Sequence, residues 1–210
     1  LNTGGEDNTF GALGPSGAIR AIAYRDRDSL LFVANNTVLG SYNTDTDIYT
    51  AIGSFGSVGP ATPISVDGLA FHPFTGELFG TTRNNGSDLL IKINPNTGSF
   101  IPGAFGGADY LTISVGGSTT NIGDITFDPD TGVLYGIANA GGTNFDRLIT
   151  IDTTTGSATA VGSNLGVNRM EGLSAFNNGN FYGTTGNNSD PSSVSNQFYS
   201  INKSTGAASL

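Results

Sequence analysis

One pattern recurs four times in this chain and leaves few folds open to it. An apolar run is followed by a turn, a second run, a loop, a third run, a second turn and a fourth run. The clearest copy spans Asp124 to Gly162, DITFDPDTGVLYGIANAGGTNFDRLITIDTTTGSATAVG. Its apolar runs are Ile125 to Phe127, Val133 to Ile137, Leu148 to Ile151 and Ala158 to Val161. No helical period appears, and Asp, Pro, Thr and Gly fall where strand hairpins turn. One apolar residue anchors each copy: Ile22, Leu69, Ile125 and Leu173, at intervals of 47, 56 and 48 residues.

After each anchor the same layout follows. Strand a ends in AIAY, LAF, ITF or LSAF, and strand b reads LLFVA, ELFGTT, VLYGIA or FYGTT. Strand c ends in SYN, KIN, TID or SIN, which puts Asn43, Asn94, Asp152 and Asn202 in register. A side-chain oxygen there can accept the backbone N–H two residues on, as an Asx-turn. Gly98, Gly156 and Gly206 then supply positive φ, and Asp47 takes that place in the first copy.

Four-stranded units at a period of about 45 to 50 residues are the mark of a β-propeller. The expected fold is all-β: one propeller domain over residues 1–210, with four blades of four antiparallel strands. The words DGLAFHPFTGELFG, DITFDPDTGVLYG and EGLSAFNNGNFYG resemble repeats of bacterial extracellular propellers of the NHL and YncE-like kind. They are closer still to uncharacterised domains that repeat GLAFDPTTGTLYG. The likeness covers nearly the whole chain and implies a fold. It implies no activity, because such propellers carry many unrelated functions.

The two ends suggest how the ring closes. Residues 7 to 22, DNTFGALGPSGAIRAI, align with 158 to 173, so Phe10 stands where Val161 stands. The N-terminus is expected to supply a strand d, and the last copy to stop at Leu210 where its own strand d should begin. That N-terminal strand completes either the last blade or the blade of a neighbouring subunit.

Composition narrows the function. Acidic residues outnumber basic ones 17 to 8, for a net charge of −9. Phosphate backbones and anionic membranes recruit clustered Lys and Arg, so nucleic acid and membrane insertion are not expected. No apolar run reaches spanning length. There is no cysteine and a single histidine, His72, which leaves no thiolate zinc site and no His-based metal cluster. The start at Leu1 suggests a processed product. Few lysines among abundant Thr, Asn and Gly suggest an extracellular or cell-surface protein.

The turns that join a to b and c to d are short and repeated, whereas the opposite face varies. Its longest connection runs from Ile101 to Ile122. Variable loops on a rigid scaffold are where recognition is sought. The candidate ligand-binding residues there are Asp109 and Tyr110, with Arg83 and Asp88 in the second b–c loop. Arg20, Asp67, Asp124 and Glu171 flank the anchors and are expected to ring the axial channel, as an ion-pair network or, less favoured, around Ca²⁺. Asp45, Asp47, Asp128 and Asp130 lack the spacing of a Ca²⁺ loop and read as turn residues. Sequons at Asn35, Asn85, Asn187 and Asn202 are candidate glycosylation sites. His72 reads as a solvated turn residue. No nucleophile–base arrangement stands out.

The expectation is therefore a non-enzymatic structural or adhesive surface protein without cofactor. Its partners would be itself, in a fibre or layer, or surface glycans and proteins. A lectin-like propeller is the alternative, and a hydrolase the least supported reading.

Overall fold

The computed structural model describes residues 19–59, 64–82, 88–140, 144–177, 179–186 and 195–210. The proposed N-terminal strand and the candidates Arg83, Asn85 and Asn187 lie outside these residues.

Four sheets form in chain order, antiparallel throughout except for one parallel pair at the edge of the third. Blade 1 is β1 (Ala21–Arg25), β2 (Leu30–Asn35), β3 (Val38–Asn43) and β4 (Ile48–Ser54). Blade 2 is β5 (Val66–Phe71), β6 (Leu78–Thr82), β7 (Leu89–Ile93) and β8 (Leu111–Thr112). Then come two short strands, β9 (Ser114–Val115) and β10 (Ser118–Thr119). Blade 3 is β11 (Asn121–Phe127), β12 (Leu134–Asn139), β13 (Arg147–Ile151) and β14 (Ser157–Ala160). Blade 4 is β15 (Met170–Ala175), β16 (Phe181–Thr185), β17 (Phe198–Ile201) and β18 (Ala208–Ser209). This is the four-bladed propeller arrangement expected from the repeats.

The c–d turns form as their chemistry dictates. Asn43 Oδ1 accepts the N–H groups of Asp45 and Thr46, each at 2.9 Å. Asn94 Oδ1 accepts from Asn96 at 2.9 Å, and Asp152 Oδ1 from Thr154 and Thr155 at 2.7 and 3.1 Å. Asn202 Oδ1 does the same for Ser204 and Thr205. Gly156 takes φ +76, and a second constraint acts on it: a methyl there would stand 2.5 Å from the Thr112 carbonyl of the preceding blade. Gly98 and Gly206 meet Gly53 and Val161 of their preceding blades in the same way. Asp47, at φ 58, needs only the conformation.

Two expectations about connectivity change. Beside Ser200 and Ile201 the chain's own C-terminal residues form the two-residue β18, so the last copy begins its strand d before Leu210. The long connection from Ile101 to Ile122 is not a free recognition loop either. Phe100 bridges Ile93, the chain swings out, and β8 returns to pair with Leu89 and Leu90. Immediately after, β9 runs parallel to β14 and caps the outer edge of blade 3. Ile113, between the two strands, is fully buried. The connection thus ties the outer edges of blades 2 and 3 together.

The core is divided into three, one part per joint. Ala21, Ala23, Phe32 and Ala34 of blade 1 meet Val66, Leu69, Leu78 and Ile91 of blade 2. Ala70, Phe79 and Leu90 of blade 2 meet Ile125, Phe127, Leu134 and Ile149 of blade 3. Ile137 and Leu148 of blade 3 meet Leu173, Phe181, Tyr199 and Ile201 of blade 4. Innermost strands pack in the order β1, β5, β11, β15. Among the described residues no packing of comparable extent joins β15 back to β1. Over the described residues, four blades joined three times make an arc.

Candidate functional site

The carboxylates near the axis come first, because charge there was the sequence's nearest approach to a site. Register shifts mark the start of strand a in blades 2, 3 and 4, at Val66/Gly68, Ile122/Ile125 and Met170/Gly172. Asp67, Asp124 and Glu171 sit in these bulges, which re-aim a side chain away from the regular alternation. They do not converge. Arg20 Nη1 lies 3.4 Å from Asp67 Oδ1, and its Nε donates to Asn36 Oδ1 at 2.6 Å. Glu171 is exposed, and its carboxylate lies over Gly186.

Asp124 stands apart from both. Its two oxygens accept N–H groups from Ile125 at 2.8 Å and from Leu173 of the next blade at 2.9 Å. Desolvation pushes its carboxyl up to about 8 against those two N–H groups. The residue is half-buried, with protein crowding the carboxyl while some of its surface still meets water. Among the described residues no group of three His, Cys, Asp or Glu side chains is placed to hold a metal.

The loop candidates are engaged in the fold. Asp88 is 3% exposed, and its Oδ2 accepts the Ile122 N–H of the next blade at 2.6 Å. Asp146, at the equivalent position of blade 3, accepts Met170 N–H at 2.8 Å and Ala140 N–H at 3.1 Å. Burial raises the Asp146 carboxyl. These two aspartates clasp one blade to the first strand of the next, a role the sequence did not disclose. Asp109 accepts the Gly103 N–H at 2.8 Å within the long connection. Tyr110 is half-buried, with its ring over Gly59 against the first core. Asn35 ends β2 opposite Val38, and Asn202 is spent on its turn. Of the acidic turn residues, Asp45 and Asp130 are exposed and Asp47 accepts the Tyr42 hydroxyl.

His72 corrects a second reading. It is not simply solvated: Nδ1 accepts the N–H groups of Phe74 and Thr75 at 3.2 Å, and the ring meets Phe127 edge-on at 4.8 Å. Strand register makes it equivalent to Arg25 and Asp128, and all three reach the next blade. Arg25 lies over Phe71, 5.5 Å from its centroid, and Asp128 pairs with Lys203 at 2.9 Å.

That rule exposes what is unusual about blade 4. The residue equivalent to Arg25, His72 and Asp128 is Phe176, which is 51% exposed. Phe198 corresponds to Leu90 and Leu148, both fully buried, yet it is 61% exposed. Tyr182 corresponds to Phe32, Phe79 and Tyr135 and is half-buried, as Tyr135 is. The three rings form one platform. Tyr182 and Phe198 stack at 5.2 Å with planes 16° apart, and Phe176 meets Tyr182 edge-on at 5.5 Å. Ser174, Thr184 and Ser200 are exposed around them. Covering a side chain of this size stabilises by roughly 1.5–3 kcal/mol. A contiguous apolar patch with a polar rim is the ordinary form of an interaction surface. This platform is the candidate functional site. The sequence signal for it was an aromatic at each of three neighbouring positions of the last copy, Phe176, Tyr182 and Phe198.

No family model matches the chain, and no curated protein matches it significantly. Solved structures do. One is a protein of unknown function from Bacteroides thetaiotaomicron VPI-5482, with TM-score 0.61, 11% identity, and coverage of 90% of this chain and 46% of that one. TolB from Acinetobacter baumannii has TM-score 0.55 and 14% identity, over 91% of this chain and 43% of that one. Hydrazine synthase from Kuenenia stuttgartiensis has TM-score 0.53 and 14% identity, over 91% and 48%. The chain spans about half the length of these proteins. One of the three carries an enzyme's name, so the shared fold does not decide the question of catalysis. At identities this low the likeness is one of architecture, and that architecture is the β-propeller.

Proposed function

We propose that this chain is a non-catalytic protein of the extracellular surface, structural or adhesive, that works by making contacts through the open face of its last blade. The observation that carries the reading is the Phe176–Tyr182–Phe198 platform, apolar, with Phe176 and Phe198 exposed and Phe198 at a position where the other blades bury Leu39, Leu90 and Leu148. The described carboxylates support it from the other side. Asp88, Asp124, Asp146 and Asp152 accept backbone N–H groups, and Asp128 pairs with Lys203. Each of these roles is structural. A composition poor in lysine and free of cysteine suits an exported surface protein of this size.

Antibody labelling of producing cells tests the location. Intact cells should label as strongly as lysed ones, and labelling that appears only after lysis would reject a surface role. Incubation with glycoside, ester and lactone substrates tests the rest. No turnover is expected, and a turnover that vanishes in Glu171→Gln would replace the contact-making role with a hydrolase.

A further inference from the structure

The arc ends in two faces, and the repeat register shows what each is made to meet. In two of the three interior joints, an aromatic on strand b of one blade packs on an aromatic closing strand a of the next; in the third, Tyr135 packs on Phe181 of strand b instead. Phe32 meets Phe71 with centroids at 5.0 Å, and Phe79 meets Phe127 at 5.3 Å, both edge-on. At the open end of blade 4 the strand-b aromatic is Tyr182. At the open end of blade 1 the strand-a aromatic is Tyr24, which is 51% exposed where Phe127 is 5%. Ile22 beside it is 54% exposed, whereas Leu69, Ile125 and Leu173 at the same position are 2%, 1% and 7%. Farther out on blade 1 the surface is already filled, since the Tyr49 ring covers Gly40, where blades 2 and 3 carry Ile91 and Ile149.

We propose that the occupant of both faces is a second copy of the chain, closing two four-bladed arcs into one eight-bladed ring. The proposal rests on the contact-making reading above and names its partner. Blade 4 of each copy lies against blade 1 of the other, so Tyr182 meets the other copy's Tyr24 as Phe32 meets Phe71 and Phe79 meets Phe127. Two copies satisfy all four open faces about one twofold axis, leaving nothing to propagate. At the outer rim the new joint differs from the interior ones, because Asp47 stands where Gly98, Gly156 and Gly206 press on the preceding blade.

A face of four strands, about 19 Å by 16 Å from ordinary strand spacing and rise, covers roughly 300 Å². Two joints then bury roughly 1,200 Å² in total, at the small end of specific interfaces. The ring is accordingly a dimer that dissociates on dilution.

Sedimentation equilibrium on the purified 210-residue chain tests this. The expected species has twice the mass of one chain at tens of micromolar and falls to one chain on dilution. Phe198→Asp and Ile22→Asp should each weaken the dimer about tenfold or more, with the circular dichroism of the wild type retained. Should either variant unfold, a second measurement replaces it. The chain has no cysteine, so Tyr24→Cys/Tyr182→Cys can be joined by a short bismaleimide. A covalent dimer supports the ring. A single-chain mass at every concentration, a dimer indifferent to both charges, or a cross-linked ladder beyond two copies would overturn it. Mass is blind to where the protein resides, so a failed ring leaves the surface role standing, and unlabelled cells leave the ring standing.

Discussion

The Lys203 ammonium lies 2.9 Å from the Asp128 carboxylate and crosses the joint between blades 3 and 4. The Asp128 side chain is 2% exposed and that of Lys203 33%. Burial opposes ionisation of Asp128, but hydrogen bonds from Lys203 and from the Asp130 N–H outweigh it and hold the carboxyl below its ordinary 3.8. A depressed carboxyl contributes stability that is present above its unfolded value and is lost as pH falls through the folded one. Asp128→Asn should therefore be less stable than wild type at pH 7, with the difference narrowing as the pH falls below the ordinary carboxyl value of 3.8. Urea unfolding on both sides of that value measures it, and an unchanged difference would mean the ion pair does not join the blades electrostatically.

Asp124 has the opposite sign. Its carboxyl is raised from 3.8 to about 8, chiefly by desolvation. Its contribution is full below the unfolded value and declines as pH rises toward about 8. Asp124→Asn should flatten the loss of stability between pH 4 and pH 8. It should also cost about 1 kcal/mol at pH 4, since an amide offers one acceptor to the two N–H groups of Ile125 and Leu173. Thermal melts across that range decide it.

Glycine serves two purposes, which substitution can separate. Gly156 and Gly106 both have positive φ, +76 and +65. A methyl at Gly106 meets nothing within 4 Å, while one at Gly156 meets the Thr112 carbonyl at 2.5 Å. Gly106→Ala should cost about 1 kcal/mol for its conformation alone. Gly156→Ala should cost about 2–4 kcal/mol, because β8 must shift as well. Equal costs in chemical denaturation would show that the close approach carries no energy.

The Asp88 and Asp146 clasps make a prediction about joints. Asp88→Ala leaves the buried Ile122 N–H without its acceptor and should destabilise by about 1–3 kcal/mol. Hydrogen exchange should accelerate at Ile122 in that variant and at Met170 in Asp146→Ala, each at its own joint. Uniform acceleration across the chain would show that the clasps act on global stability alone.

Local chemistry was legible in the sequence, and relations between blades were not. The Asx-turns at Asn43, Asn94, Asp152 and Asn202 formed as expected because each depends on residues within three positions of itself. Four sheets followed from the same short-range signals. Asp88 read as a loop carboxylate because its partner, Ile122, lies 34 residues away. His72 read as solvated because Phe127 sits in the next repeat. Phe176 looked like the counterpart of Phe71. In fact the register pairs Ala175 with Phe181 as it pairs Phe71 with Leu78, which moves Phe176 one place outward. Of the candidate site, the aromatics were visible. Their exposure depends on what packs on blade 4, which is a relation between blades and not a local signal.

The run from β8 to β9 has a kinetic consequence. Within one copy, among the described residues, blades 1 and 4 each pack on one neighbour, so either can peel away from a single chain by opening a single joint. Blades 2 and 3 share, besides their core, a strand pair donated by one continuous segment with Ile113 locked inside. Opening one of them strips an edge from the other, so the middle of the chain should come apart as one unit, and last. Under slow proteolysis or mechanical pulling, the surviving fragment should be the central pair of blades, with both ends of the arc already gone.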